Sequence, residues 1–237
     1  MNLLPTFVDV SGFVMRVGAR LAVNSSKVTA TSIEEVPKSG PVILAVRHYH
    51  HLLDGLGLLA HSHRPVHIMI GLDWVSTRSK RWLMESLARG CAWPVTLRTS
   101  EDRQGDGEPW FQAASAYRPH EIRTYQQRAF RQCVELLGRE RVVVFFPETY
   151  PVIDPHTVRK PRRETLAPFK SGFARAAVAA ARRHGRPVSV VPVGIRTNAA
   201  NQGTLAFGFG QAKLVTATSN VECLVADVRA DICRLSQ

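Results

Sequence analysis

The chain reads as an α/β domain, with a mainly parallel or mixed central sheet flanked by helices and an amphipathic helix at its N-terminus. Three observations predict this. Short runs such as Pro41–Val46, Arg141–Phe146 and Val188–Ile195 are apolar at nearly every position, as strands buried on both faces require. Segments of helical periodicity alternate with those runs along the chain. A length of 237 residues suits one large domain and buries a substantial core without covalent staples.

Taken in order, residues 5–21 place Phe7, Val10, Phe13, Val14, Val17 and Leu21 at helical spacings, with Arg16 and Arg20 off that stripe. Two roles fit such a helix: lying on a bilayer surface, or packing on the domain's own core. The division that follows is 1–24 as the amphipathic helix and 25–237 as the main domain. Strand-like runs Lys27–Ile33 and Pro41–Val46 come next, joined by the turn-rich EEVPKSG. Residues 52–62 read as a helix and Val66–Ile70 as a buried strand. Ser76–Arg89 reads as a helix whose apolar side is Trp82, Leu83, Leu87 and Ala88. The polar, Gly- and Pro-containing stretch 99–119 reads as a long surface loop. A helix over 121–138, the strand 141–146, a basic loop, an Ala-rich helix over 171–184 and the strand 188–195 follow. Leu205–Ala217 holds one more strand or a hairpin. A last helix carries Val221, Leu224, Val225, Val228, Ile232 and Leu235 on one side.

Composition narrows the partners. Lys plus Arg number 31 against 19 Asp plus Glu, a formal charge of +12. Such an excess favours polyanions: nucleic acid, anionic lipid or phosphorylated ligands. No zinc finger, RNP-like aromatic motif or basic heptad region is present, so no nucleic acid partner is expected. Phosphate and an anionic membrane surface remain. The four cysteines (Cys91, Cys133, Cys223, Cys233) form no C-x-x-C pair and suit reduced thiols. No run of about 18 apolar residues spans a bilayer. Asp9, Arg16 and Arg20 interrupt the N-terminal apolar run, which does not read as a signal peptide. The expected location is cytoplasmic, peripheral on the cytoplasmic membrane face.

The chemistry concentrates where strands end. PVILAVRHYHHLLDG sets His48, His50, His51 and Asp54 just beyond a buried strand, where ligands bind in open α/β sheets. A histidine there takes a proton from a hydroxyl, and a carboxylate against its other ring nitrogen fixes the tautomer. His48 and Asp54 stand six positions apart; His50 and Asp54 stand four apart and would share a helix face. A metal reading draws on these histidines together with His61, His63 and His67. The metallo-hydrolase pattern H-x-H-x-D-H, however, needs Asp and His where the chain has Leu52 and Leu53, and no metal is expected.

VVVFFPETYP repeats the arrangement, with Pro147 and Glu148 after a strand; a glutamate there hydrogen-bonds a polyol hydroxyl or orients a basic residue. CAWPVTLRTS ends a short apolar run at Arg98, whose planar fork of donors suits phosphate. APFKSGFARAA opens a helix with Lys170, Ser171 and Gly172.

In this order, the segments resemble the lysophosphatidic acid and glycerol-phosphate acyltransferase superfamily over residues 35–200. RHYHHLLD at 47–54 is similar to its histidine, four residues and aspartate; Arg98 matches the arginine of the second block; Phe146, Pro147 and Glu148 match FPEG; VVPVGI at 190–195 matches the proline-centred strand; and PFK-x-G at 168–172 is also typical. The chain departs from the pattern twice. Strict spacing would put the base at Tyr49, so either His48 serves with one extra residue in the turn or His50 with one fewer; His48 directly follows the strand, as the family histidine does. Thr149 replaces the glycine of FPEG, where only glycine is indifferent to positive φ.

The resemblance implies acyl transfer from acyl-CoA or an acyl-carrier protein, with no cofactor, onto a lysophospholipid or glycerol-phosphate acceptor. His48, or His50, is then the base and Asp54 its partner, while Arg98, Glu148, Pro147 and Lys170 bind substrate. Arg159, Lys160, Arg162 and Arg163 are further candidates for phosphate. The alternatives are a thioester or lipid hydrolase, against which the missing G-x-S-x-G counts, and a catalytically silent lipid- or phosphate-binding module.

Overall fold

A computed structural model describes residues 7–24, 28–98, 115–149, 151–152, 166–197 and 204–237. In chain order these form α1 (Phe7–Asn24), β1 (Val28–Thr31), β2 (Val42–Val46), α2 (Leu53–His61), β3 (Val66–Ile68), β4 (Ile70–Gly71), α3 (Arg78–Gly90), β5 (Val95–Thr96), α4 (Glu121–Gly138), β6 (Val142–Phe145), α5 (Gly172–His184), β7 (Val188–Thr197), β8 (Leu205–Phe209), β9 (Lys213–Val215) and α6 (Val221–Leu235). The α/β class and the N-terminal helix are as expected.

The main sheet runs β1-β8-β7-β2-β6-β3, with β9 also on β7. Its centre, β3-β6-β2-β7, is parallel; β8 and β9 run antiparallel to β7. The segment 205–217 is therefore two strands that each pair with β7. It forms no hairpin, because the edge of β7 is shared: Val188–Val190 face β9 and Val193–Thr197 face β8. Pro192 falls between those two ladders, so its missing N–H removes no bond on that edge, and its carbonyl accepts from the N–H of Gly210.

Alternation along the buried strands builds two cores. Val42, Leu44, Val46, Val142 and Val144 face one layer, with Leu58 and Leu59 of α2 and Ala19 and Val23 of α1. Ile43, Ala45, Val143 and Phe145 face the other, under α4, α5 and α6. The Ala-rich face of α5 lets that helix approach the sheet closely. A third cluster of Leu72, Val75, Leu97 and Tyr117 lies by the small parallel β4–β5 sheet.

Two helices turn apolar side chains outward. On α3, Ala88 is buried, but Trp82, Leu83 and Leu87 face solvent. Its inward side is held instead by Arg81, which bonds Glu85, Glu121 and Tyr125. On α1, Val10, Phe13, Val14, Val17 and Leu21 are likewise exposed. Among the described residues, no helix is long and apolar enough to cross a membrane.

Candidate active site

Residues 47–54 leave the C-terminal end of β2 and turn into α2. The ring that meets Asp54 is that of His48: Nδ1 lies 2.9 Å from Oδ2. Asp54 is wholly buried in the first turn of α2 and also accepts the backbone N–H groups of Tyr49 (2.7 Å) and His50 (3.0 Å). The carboxylate thus shapes the turn and holds the ring together. An ionised carboxylate only accepts, so a neutral His48 ring making this contact has its proton on Nδ1 and its lone pair on Nε2. One face of the imidazole stacks on Phe146, with centroids 4.3 Å apart, and 14% of the side chain stays exposed.

The six-residue spacing is accommodated by that same turn. Tyr49, where strict spacing would place the base, is buried beside Arg47. The Nδ1 atom of His50 accepts the N–H groups of Leu52 and Leu53, tying its ring to the start of α2, and only its backbone N–H reaches Asp54. His51 stacks on His50.

The loop after β6 clamps His48 from outside. Glu148, buried, accepts from the backbone N–H of His48 (3.0 Å) through Oε1 and from that of Ala167 (2.9 Å) through Oε2. Val152 donates its N–H to the His48 carbonyl. Pro147 is buried, and its carbonyl accepts from the N–H of Lys170, whose side chain is exposed. Thr149, at the position where the resembled pattern has glycine, has a left-handed backbone with φ at 69°. A β-branched residue there holds a strained conformation.

Arg98 follows β5, and its Nε donates to both oxygens of Asp73 at 3.0 and 2.8 Å. Asp73 has no solvent exposure. Sequence reasoning missed it because nothing marks an aspartate in a loop as the partner of an arginine 25 positions away. It also missed Arg47, a buried guanidinium that donates to the carbonyl of Ile195, and the stacking role of Phe146. The only local signal for Arg47 was its place between an apolar strand and the histidines. Arg159, Lys160, Arg162 and Arg163 lie outside the described residues. Among the described residues, no group of three or more His, Cys, Asp or Glu is placed to hold a metal ion.

This arrangement holds the His48 ring against a buried carboxylate just beyond the C-terminal end of β2. A histidine and carboxylate in this geometry have the chemistry of a general base and its partner.

Comparison with known proteins identifies the family. The model of the family described as Acyltransferase matches residues 27–196. No curated protein sequence matches the chain significantly. The crystal structure of the 1-acyl-sn-glycerophosphate (LPA) acyltransferase PlsC from Thermotoga maritima superposes with a TM-score of 0.58 at 17% identity, covering 94% of this chain and 77% of PlsC. With a family model spanning most of its length and the fold of that enzyme, the chain belongs to the acyltransferase family.

Proposed function

We propose that this acyltransferase moves a fatty acyl group from a thioester, acyl-CoA or acyl-carrier protein, to the hydroxyl of a lysophospholipid or glycerol-phosphate-like acceptor. The observation that carries the proposal is the 2.9 Å contact between His48 Nδ1 and the buried carboxylate of Asp54. With Nδ1–H held there, Nε2 takes the acceptor's hydroxyl proton as the oxygen attacks the thioester carbonyl. Asp54 stabilises the imidazolium that results. Collapse of the tetrahedral intermediate breaks the C–S bond, and the imidazolium returns its proton to the departing sulfur. No separate cofactor takes part.

Arg98, steadied by Asp73, binds the phosphate of the acceptor, with Lys170 as a second cation at the mouth. Glu148 acts on the position of His48, since both of its oxygens accept backbone N–H groups, one of them from His48 itself. Pro147 shapes the turn that delivers Glu148. The enzyme works at the cytoplasmic face of an anionic membrane, with α1 lying on the surface. The exposed stripe Val10, Phe13, Val14, Val17 and Leu21 supports that placement, and the free state of all four cysteines suits a reducing compartment.

The test is incubation of purified protein with acyl-CoA or acyl-carrier protein and a panel of lysophospholipids and glycerol phosphate. New phospholipid is expected from the wild type. His48→Ala is expected to reduce the rate by roughly 10²–10⁴ while the protein stays folded. Full activity in His48→Ala with loss in His50→Ala would transfer the role to His50. Release of free fatty acid alone would make the protein a hydrolase.

A further inference from the structure

We propose that the outer face of α3 is the second half of a membrane-docking surface, so that α1 and α3 together seat the protein on an anionic bilayer. The inference rests on the reading of α1 as an interfacial helix and extends it to an element of the main domain.

α3 is built inside out. Trp82, Leu83 and Leu87 are 68%, 51% and 54% exposed, whereas its inward side carries the hydrogen-bonded Arg81 and Glu85. Burying those three side chains would gain several kcal/mol, about 1.5–3 for each large apolar group, and helix-sized apolar patches mark interaction surfaces. The helix adjoins α1. The hydroxyl of Ser11 donates to the carbonyl of Gly90, which follows Leu83 and Leu87 at i+7 and i+3 on one side of α3. Val10 and Val14, both exposed, flank Ser11 on α1. Two exposed apolar stripes therefore meet at one junction.

The rim identifies the occupant. Arg78, Lys80 and Arg89 are exposed along α3, and its single acid, Glu85, is turned inward onto Arg81, Tyr117 and Tyr125. An apolar face bordered by α3's own cations, with the indole of Trp82 at its surface, matches the acyl–headgroup boundary of an anionic leaflet. The placement also serves the reaction, because α1 packs on α2, the helix that carries Asp54.

Sedimentation of the full chain with vesicles of phosphatidylcholine containing phosphatidylglycerol tests the proposal. Trp82→Ser/Leu83→Ser/Leu87→Ser is expected to lower the partition coefficient about 10-fold or more, with unchanged circular dichroism because all three side chains are exposed. Arg78→Gln/Lys80→Gln/Arg89→Gln is expected to weaken binding at low salt and to match the wild type at high salt. Equal partitioning of the Trp82/Leu83/Leu87 variant and the wild type would overturn the proposal. So would a wild-type dimer that this variant dissolves while vesicle binding persists, since the face would then be a subunit interface. Two controls keep the other readings separate. A Val14→Ser/Leu21→Ser variant reports on α1 alone. Transfer between short-chain, water-soluble substrates, expected to be equal in the wild type and the α3 variant, reports on the chemistry alone.

Discussion

At the scale of single residues, Asp54 does two things at once. It holds the His48 ring and accepts the N–H groups that make the turn. Asp54→Asn keeps the size but offers an amide that donates as well as accepts, which lets His48 bind in the wrong tautomer. The expected result is a fall in kcat of roughly 10²–10⁴ with a smaller change in KM, read by steady-state kinetics. An unchanged kcat would remove Asp54 from the mechanism. Thr149 poses the opposite case, a residue whose backbone the fold imposes against its preference. Left-handed φ costs an L-residue roughly 1–2 kcal/mol, partly offset by the greater chain entropy of glycine. Thr149→Gly is expected to raise stability by about 0.5–1 kcal/mol in urea unfolding. A loss would mean that the threonine side chain contributes more than its strain costs.

At the scale of elements, α2 is the lever. It carries Asp54 at its start, and its middle lies so close to β8 that a Cβ on Gly57 would stand 2.5 Å from the ring of Phe207. Phe207 is itself fully buried within a core cluster. Gly57→Ala is therefore expected to cost about 1–3 kcal/mol of stability. It should also reduce acyl transfer, as α2 shifts and takes Asp54 with it. Gly172→Ala, at a helix start with nothing within 4 Å of the new Cβ, is the matching control and should be near neutral. If both variants behave alike in urea unfolding, the close approach of α2 does not set the position of Asp54.

For the whole molecule, ionisable groups that bind helices to one another set the pH range of stability. Hydrogen bonds from Arg81 hold Glu121 below the usual carboxylate range. Burial pushes Glu85 and Asp231 upward, but the hydroxyls of Tyr125 and Tyr117 with Arg81, and Lys213 with Arg234, outweigh it and leave both lowered. Carboxyls lowered on folding stabilise the protein above their unfolded values, and that contribution is lost as pH falls through the folded ones. At the other end, burial raises the Tyr117 and Tyr125 hydroxyls and pushes the Cys133 thiol up to about 12. These groups favour the folded state below their unfolded values and lose that contribution as pH rises. Urea unfolding across pH is expected to show a plateau near neutrality that declines in acid and again above pH about 9, with Cys133→Ala reducing the alkaline slope. A flat alkaline limb in the wild type would contradict the buried thiol.

The sequence by itself determined the strands β2, β6 and β7, the extents of α4 and α5, and the order of the strand-end motifs. Each is a local matter of apolar runs, periodicity and turn residues, so neighbouring residues decide it. Whether His48 or His50 meets Asp54 did not follow from spacing. It depends on a turn in which one carboxylate gathers two backbone N–H groups and a ring, and in which the ring of His50 is tied to the start of α2. Asp73 beneath Arg98 and Glu148 behind His48 were hidden because residues 25 and 100 positions apart meet only in the folded chain. The outward faces of α1 and α3 were tertiary decisions too. Periodicity shows that a helix has an apolar side, and only packing shows whether that side turns toward the core or away from it.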